Sequence, residues 1–149
     1  MIHVELQNAS TSNALPSEQQ FSLWAIAATR RENAEIAIRV VDEEESAELN
    51  NHYRGKMGAT NVLSFPFVNP PGVKTDILGD LLICAPIVEN EAKEQGKNPT
   101  AHWAHMVVHG VLHLQGYDHI DENEAVIMES EEIAIMNGLG FPNPYEEAD

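Results

Sequence analysis

Apolar residues recur along the chain in two rhythms. Alternating or unbroken apolar runs mark four strands, Ile2 to Leu6, Glu35 to Val41, Asn61 to Phe67 and Ile77 to Cys84. Helical spacing fills the intervals between them. Ser17, with Gln20 three residues on and Phe21, Leu23, Trp24 and Ala27 behind it, forms a capping box that opens a first helix running to about Arg31. Asp42 with Glu45 opens a second helix ending near Tyr53, and a third extends from about Pro86 to Gln95. Gly96 and Pro99 then break the chain, and Thr100 opens a fourth helix. Asp121 with Glu124 repeats the box ahead of a fifth, which carries Val126, Ile127, Ile133, Ile135 and Met136.

The order β-α-β-α-β-β-α-α-α predicts an α+β fold, a mixed four-stranded sheet packed with about five helices. A right-handed crossover through the first helix makes the first two strands parallel neighbours. The third and fourth are joined by Val68 to Thr75, too polar and Pro-rich for a crossover helix, so that pair is expected to be antiparallel. No internal repeat interrupts this plan, and the segment from Phe141-Pro142-Asn143-Pro144 onward reads as a frayed tail.

Composition narrows the function classes. The 149 residues hold 8 Lys plus Arg against 24 Asp plus Glu, a formal charge of −16. That excludes the usual nucleic-acid binder with a broad basic surface, so any RNA contact must be local. A chain of this length buries about two-thirds of its unfolded surface without disulfides, and one domain spanning residues 1–149 is expected. The lone Cys84 supports neither an internal disulfide nor a Cys-rich zinc site, which fits a reducing cytoplasm. No basic-then-apolar leader opens the chain, and no stretch stays apolar for the roughly 20 residues of a membrane span, so a soluble protein with no membrane role is expected. All eight Lys and Arg precede Asn98; the remainder carries ten acidic groups and a charge of −10, against −6 for the first 97 residues. This acidic C-terminal face is either a solvated surface or an attractor for a cation or a basic protein partner.

Five of the seven histidines lie between positions 102 and 119. At about 100° per residue His102, His105, His109 and His113 share one helix face, a poor way to build a core because each imidazole needs its own hydrogen-bond partner. The tighter pattern is His109-Gly110-Val111-Leu112-His113-Leu114-Gln115-Gly116-Tyr117-Asp118-His119. Imidazoles at i and i+4 can both reach one cation with Zn–N bonds of about 2.0–2.1 Å. Gly116 can take the left-handed conformation that ends a helix, returning His119 to the same ion. Three neutral nitrogens leave a fourth position for water, the layout of a catalytic zinc rather than a closed structural one. His105 and His109 also stand at i and i+4, but the glycine turn and third histidine favour the later pair. His102 and His105 are expected to serve as structural groups, as hydrogen-bond partners to a ligand, or as groove lining.

The spacing H-x-x-x-H-x-x-G-x-x-H is also that of metzincin proteases, so a zinc peptidase is the competing class. Those enzymes place a Glu base after the first histidine, and Gly110 stands there. Met128 and Met136 sit at helical spacing in an apolar stripe and are expected in the core rather than in a Met-turn.

A second constellation is Leu49-Asn50-Asn51-His52-Tyr53-Arg54-Gly55-Lys56, followed by Thr60-Asn61-Val62-Leu63-Ser64-Phe65-Pro66 and Leu78-Gly79-Asp80-Leu81-Leu82-Ile83. Arg54 suits a phosphate, since its planar fork donates to two oxygens and keeps its charge; the alternative is a structural ion pair, for instance with Asp80. Arg30 and Arg31, the other basic pair, are placed at the end of the first helix, where they favour its dipole.

The segments N-x-x-Y-R, T-N-V-L-S-F-P, L-G-D-L-x-I and H-G-V-L-H-L-x-G-Y-D-H, in this order, resemble the YbeY family of bacterial endoribonucleases, from about Val41 to the end of the chain. The resemblance implies a zinc-dependent, single-strand-specific endoribonuclease acting in 16S rRNA 3′-end processing, ribosome quality control and small-subunit assembly. It implies a zincin-like three-His site with His109, His113 and His119 as zinc ligands, one Zn2+ per chain, and Arg54 as the catalytic arginine of the groove. Many members read Asp, one residue, then Pro before the Thr, where Met57, Gly58 and Ala59 stand here; that departure bears on the stiffness of the loop and not on the histidines. Ribosomal RNA is the expected substrate, DNA is not, and basic proteins of the small subunit are the expected partners. The general base is left open among Asp118, His105, the scissile phosphate and a ribose 2′-hydroxyl. A non-catalytic assembly factor, with zinc only tying the last two helices together, is the third class.

Overall fold

A computed structural model describes residues 1–146. Its elements are β1 (Ile2–Asn8), α1 (Glu18–Ala28), β2 (Ala34–Val41), α2 (Glu43–Arg54), β3 (Val62–Pro66), β4 (Ile77–Cys84), α3 (Ala85–Glu94), α4 (Pro99–Leu114) and α5 (Glu122–Gly138). The strands form one mixed sheet in the order β1-β2-β4-β3. β1 pairs with β2 and β2 with β4 in parallel, while β3 runs antiparallel to β4 along an edge, with Leu63 opposite Leu82. The expected α+β architecture and both expected pairings are present.

Alternation along β2 divides its side chains between two layers. Ala34, Ile36, Ile38 and Val40 face the main core, which Leu81 and Ile83 of β4 continue and which α1 and α4 cover. Val41 joins Leu63 and Leu82 in a smaller cluster packed by Leu49 of α2 and by Phe65. The second face is covered only toward that cluster: Glu35 of β2 and Asp80 of β4 are exposed, and Ala37 and Arg39 are half-buried. Helix α4 runs through the middle of the main layer, against α1, α3, α5, β3 and β4, and is buried along almost its whole length.

Several boundaries differ from the sequence reading. Helix α1 stops at Ala28, where the Thr29 hydroxyl donates to the Ala25 carbonyl at 2.7 Å and the backbone turns extended. Arg30 is thus outside the helix, and its guanidinium pairs with Glu131 of α5 instead of a helix end. Pro99 does not break the chain but occupies the first position of α4, where its missing N–H costs nothing; Asn98 is the cap, accepting from the Thr100 and Ala101 amides at 2.9 and 3.3 Å. The expected frayed tail is docked at least as far as Tyr145. Phe141 packs edge-on to Trp24 with ring centroids 6.3 Å apart, and Lys97 Nζ donates to the Pro144 carbonyl at 2.7 Å. Met128 and Met136 lie in the core as expected, each 1 % exposed. No described helix is long and apolar enough to cross a membrane.

Candidate metal centre and groove

Helix α4 carries His109 and His113 one turn apart and closes at Gln115. Gly116 follows at φ +98°, a conformation that a side chain would strain, and the Tyr117 amide donates back to the Leu112 carbonyl at 3.2 Å. The chain reverses there and brings His119 to the two helical histidines. The three rings stand with centroids 4.6 Å (His109–His113), 5.1 Å (His113–His119) and 5.7 Å (His109–His119) apart, and one nitrogen from each lies within 4.8 Å of the others. Burial, helped by the neighbouring His109 and His119, holds the His113 pKa below its usual value, which favours the neutral form a metal needs. This group could hold a metal ion, with its open side toward solvent.

Behind the histidines lies Glu132, fully buried. One carboxylate oxygen accepts from His109 Nδ1, and the other accepts from the Tyr145 hydroxyl. His105 Nε2 is 3.4 Å from the first oxygen, poorly aligned for a hydrogen bond and therefore an electrostatic neighbour. Burial alone would raise the Glu132 pKa, but these His and Tyr partners outweigh it and lower the value to about 2. Burial, followed by the bond to Glu132, pushes the Tyr145 phenol well above its ordinary range. Glu132 is thus no part of the solvated acidic face to which its sequence neighbours assigned it. Glu147 and Asp149, counted in that face, lie outside the described residues.

In front of the histidines opens a groove of about 860 Å³, lined by His109, His113, His119, Asp118, Arg54 and the whole of β3. Arg54 ends α2, and Gly55 terminates that helix in the left-handed conformation with φ +64°. The loop that follows is pinned from α2. Asn50 Nδ2 donates to the Gly58 carbonyl at 2.8 Å, and the Ser46 hydroxyl bonds both the Thr60 amide (3.1 Å) and its carbonyl (3.0 Å). Met57-Gly58-Ala59 therefore does not leave the loop untethered. Asn61 is tied to Glu91 of α3, which also pairs with His102 of α4 at 3.0 Å, and the Ser64 hydroxyl donates to the Gly110 carbonyl at 3.3 Å. The polar residues of T-N-V-L-S-F-P thus clamp an edge strand alongside the histidine helix.

The structure brings His109, His113 and His119 together, as their spacing suggested, and Arg54 to the same groove, as the family resemblance implied. Arg54 makes no ion pair among the described residues, and Asp80 lies outside the groove lining, so the anticipated Arg54–Asp80 pair is not formed. His102 lies outside the groove lining and pairs with Glu91, joining α3 to α4. His105 is 6 % exposed and backs onto a separate, smaller cavity, which removes it from the candidate bases on the groove side; Asp118 lines the groove. Sequence reasoning missed Glu132 and Tyr145. The only available signal was an acid in α5 whose helix also carries Met128 and Met136 on its buried side.

A family model described as Endoribonuclease YbeY matches residues 5–140. An Endoribonuclease YbeY of Methylococcus capsulatus strain Bath is 67% identical over 147 residues, covering 99% of this chain and 97% of that protein. A solution structure of a Thermotoga maritima protein has a TM-score of 0.55 at 26% identity, covering 100% of this chain and 97% of that one. With the match spanning the sheet, the groove and the three histidines, the chain belongs to the YbeY endoribonuclease family.

Proposed function

We propose that this chain is a zinc-dependent, single-strand-specific endoribonuclease that matures the 3′ end of 16S rRNA and serves ribosome quality control and small-subunit assembly. The observation that carries the reading is a groove with three converging imidazoles and, in its wall, an arginine with no ion-pair partner among the described residues. His109, His113 and His119 would hold the ion; neutral nitrogens with one side open suit zinc. Bound zinc supplies Lewis acidity, polarising a phosphoryl oxygen and lowering the pKa of water to about 7. Arg54 donates to the phosphate and neutralises charge that builds on phosphorus, a contribution of about 3–4 kcal/mol for a preorganised donor. Asp118, which lines the groove, is the carboxylate candidate for proton acceptor there.

The groove volume is that of a site for a drug-sized ligand, enough for a few nucleotides of one strand. β3 also disfavours a peptide. The Asn61 carbonyl and the Phe67 amide bond to β4, so Val62, Ser64 and Pro66 turn their backbone groups outward. The Val62 amide is taken by the Asn61 side chain at 2.7 Å and Pro66 has none, leaving Ser64 as the sole outward N–H of the strand. One donor suits a phosphate oxygen; an added peptide strand needs a row of them. Gly110, where a peptidase base would stand, faces Leu81 and Val62 instead of the groove.

A charge of −16 repels long RNA, so delivery by a basic protein of the small subunit, seated on the acidic C-terminal face, completes the reading, in a cytoplasm that keeps the buried Cys84 reduced. The test is cleavage of rRNA by untagged protein beside Arg54→Ala and His113→Ala purified identically. Cuts made only by the wild type and stopped by chelator support the proposal. Equal cutting by all three, or none with the ribosomal partner present, sinks it in favour of a non-catalytic assembly factor.

A further inference from the structure

Glu132 is the most deeply enclosed charge in the described structure, and burying a carboxylate is costly unless every lone pair is used. The proposed metal chemistry does not need it as a ligand, so its retention in the core calls for another role. Its two oxygens are fixed from opposite sides, one by His109 Nδ1 and the other by the Tyr145 hydroxyl, with the His105 ring stacked edge-on to Tyr145 at 5.3 Å. A carboxylate gripped at both ends cannot rotate. As an acceptor only, it obliges His109 to carry its proton on Nδ1, leaving Nε2 with the lone pair.

Tyr145 reaches this point because the chain reverses after α5 and is tied down twice, by Phe141 on Trp24 and by Lys97 on the Pro144 carbonyl. Resting on the reading of His109 as a metal ligand, we infer that Glu132 is a positioning residue that sets the tautomer and orientation of His109, and that Tyr145 makes the C-terminal segment part of the metal centre. The competing use of the same atoms is a second cation held by His105, His109 and Glu132. Against that use, His109 Nδ1 is bonded directly to Glu132.

The experiment is zinc competition against a chromophoric chelator, with metal counting, on the full chain and on Glu132→Gln, Tyr145→Phe and His113→Ala. It is paired with the imidazole N–H spectrum of the zinc-loaded protein. Expected are one zinc per chain, affinity about 10- to 100-fold weaker in Glu132→Gln, and a smaller loss in Tyr145→Phe. The Nδ1–H resonance of His109 should shift in both variants, which a purely structural role would not produce. If Glu132→Gln fails to fold, Tyr145→Phe decides, since it removes one hydroxyl. Wild-type affinity and spectrum in the folded variants overturn the inference. Two zinc ions per chain, one lost in Glu132→Gln, overturn it in favour of a second site. Unchanged binding in His113→Ala strikes the metal reading itself, and the inference falls with it.

Discussion

Gly110 offers a prediction whose sign depends on how closely α4 is seated. In an open helix Gly→Ala stabilises by about 1 kcal/mol, because alanine has the better propensity. Here the added Cβ would lie 2.8 and 3.0 Å from the two Leu81 methyls and 3.3 Å from Val62 Cγ2. Leu81 is itself 1 % exposed, so the strain belongs to the range of about 1–3 kcal/mol found for overpacked cores. The net effect of Gly110→Ala is a loss of about 1 kcal/mol, or about 2–4 °C in Tm for a domain of this size. Thermal and urea unfolding should be measured with chelator present, so that metal binding does not mask the change. The same shift lifts His109 and His113 away from β4 while His119 stays on its loop, so zinc affinity falls as well. A rise in Tm of comparable size would refute the reasoning, since it would mean that α4 does not rest against the sheet at this residue.

Three other outcomes are expected. Arg54→Ala should leave urea stability within about 0.5 kcal/mol of wild type, because the residue is exposed and makes no ion pair among the described residues, while cleavage of rRNA falls about 10²- to 10³-fold; a comparable loss of stability would make Arg54 structural. Gly79→Ala should cost about 3 kcal/mol or more, since Gly79 sits at φ +148° and a Cβ there would lie 2.4 Å from the Phe65 carbonyl oxygen; an unchanged urea midpoint would contradict that contact. In the metal-free protein burial lowers the pKa of both His102 and His113, so the unfolded chain binds protons that the folded one refuses. Their contribution to stability is complete above about pH 6.5 and is lost as pH falls through their lower folded values, so the urea midpoint of chelated protein should drop across that window; a flat profile would exclude it.

Much of this arrangement is local and therefore visible in the sequence. The four strands announce themselves by alternation, and the histidine spacing with Gly116 needs only helix geometry to become a cluster. Errors arose where tertiary contacts decide. Pro99 reads as a breaker until Asn98 is seen capping the same turn. Glu132 sits in Glu129-Ser130-Glu131-Glu132, a run that reads as solvated, and only the docking of α5 on α4 turns that one acid inward. Tyr145 follows two prolines in a polar tail, and nothing local predicts that it reaches back to α5. The freedom of Arg54 was likewise open, because whether Asp80 pairs with it depends on which side of the sheet each side chain occupies.

The mixed provenance of the three histidines has a kinetic consequence. His109 and His113 belong to the most enclosed helix, whose opening requires disruption of the core, whereas His119 stands on an exposed connection, 57% accessible. In the proposed metal centre, local fluctuations of that connection, far cheaper than global unfolding, would detach one ligand at a time. Metal exchange should therefore proceed through a two-histidine state on the timescale of loop motion. Chelators would strip the centre from a fully folded molecule, and the vacated pair on α4 would stay in place to receive the next ion.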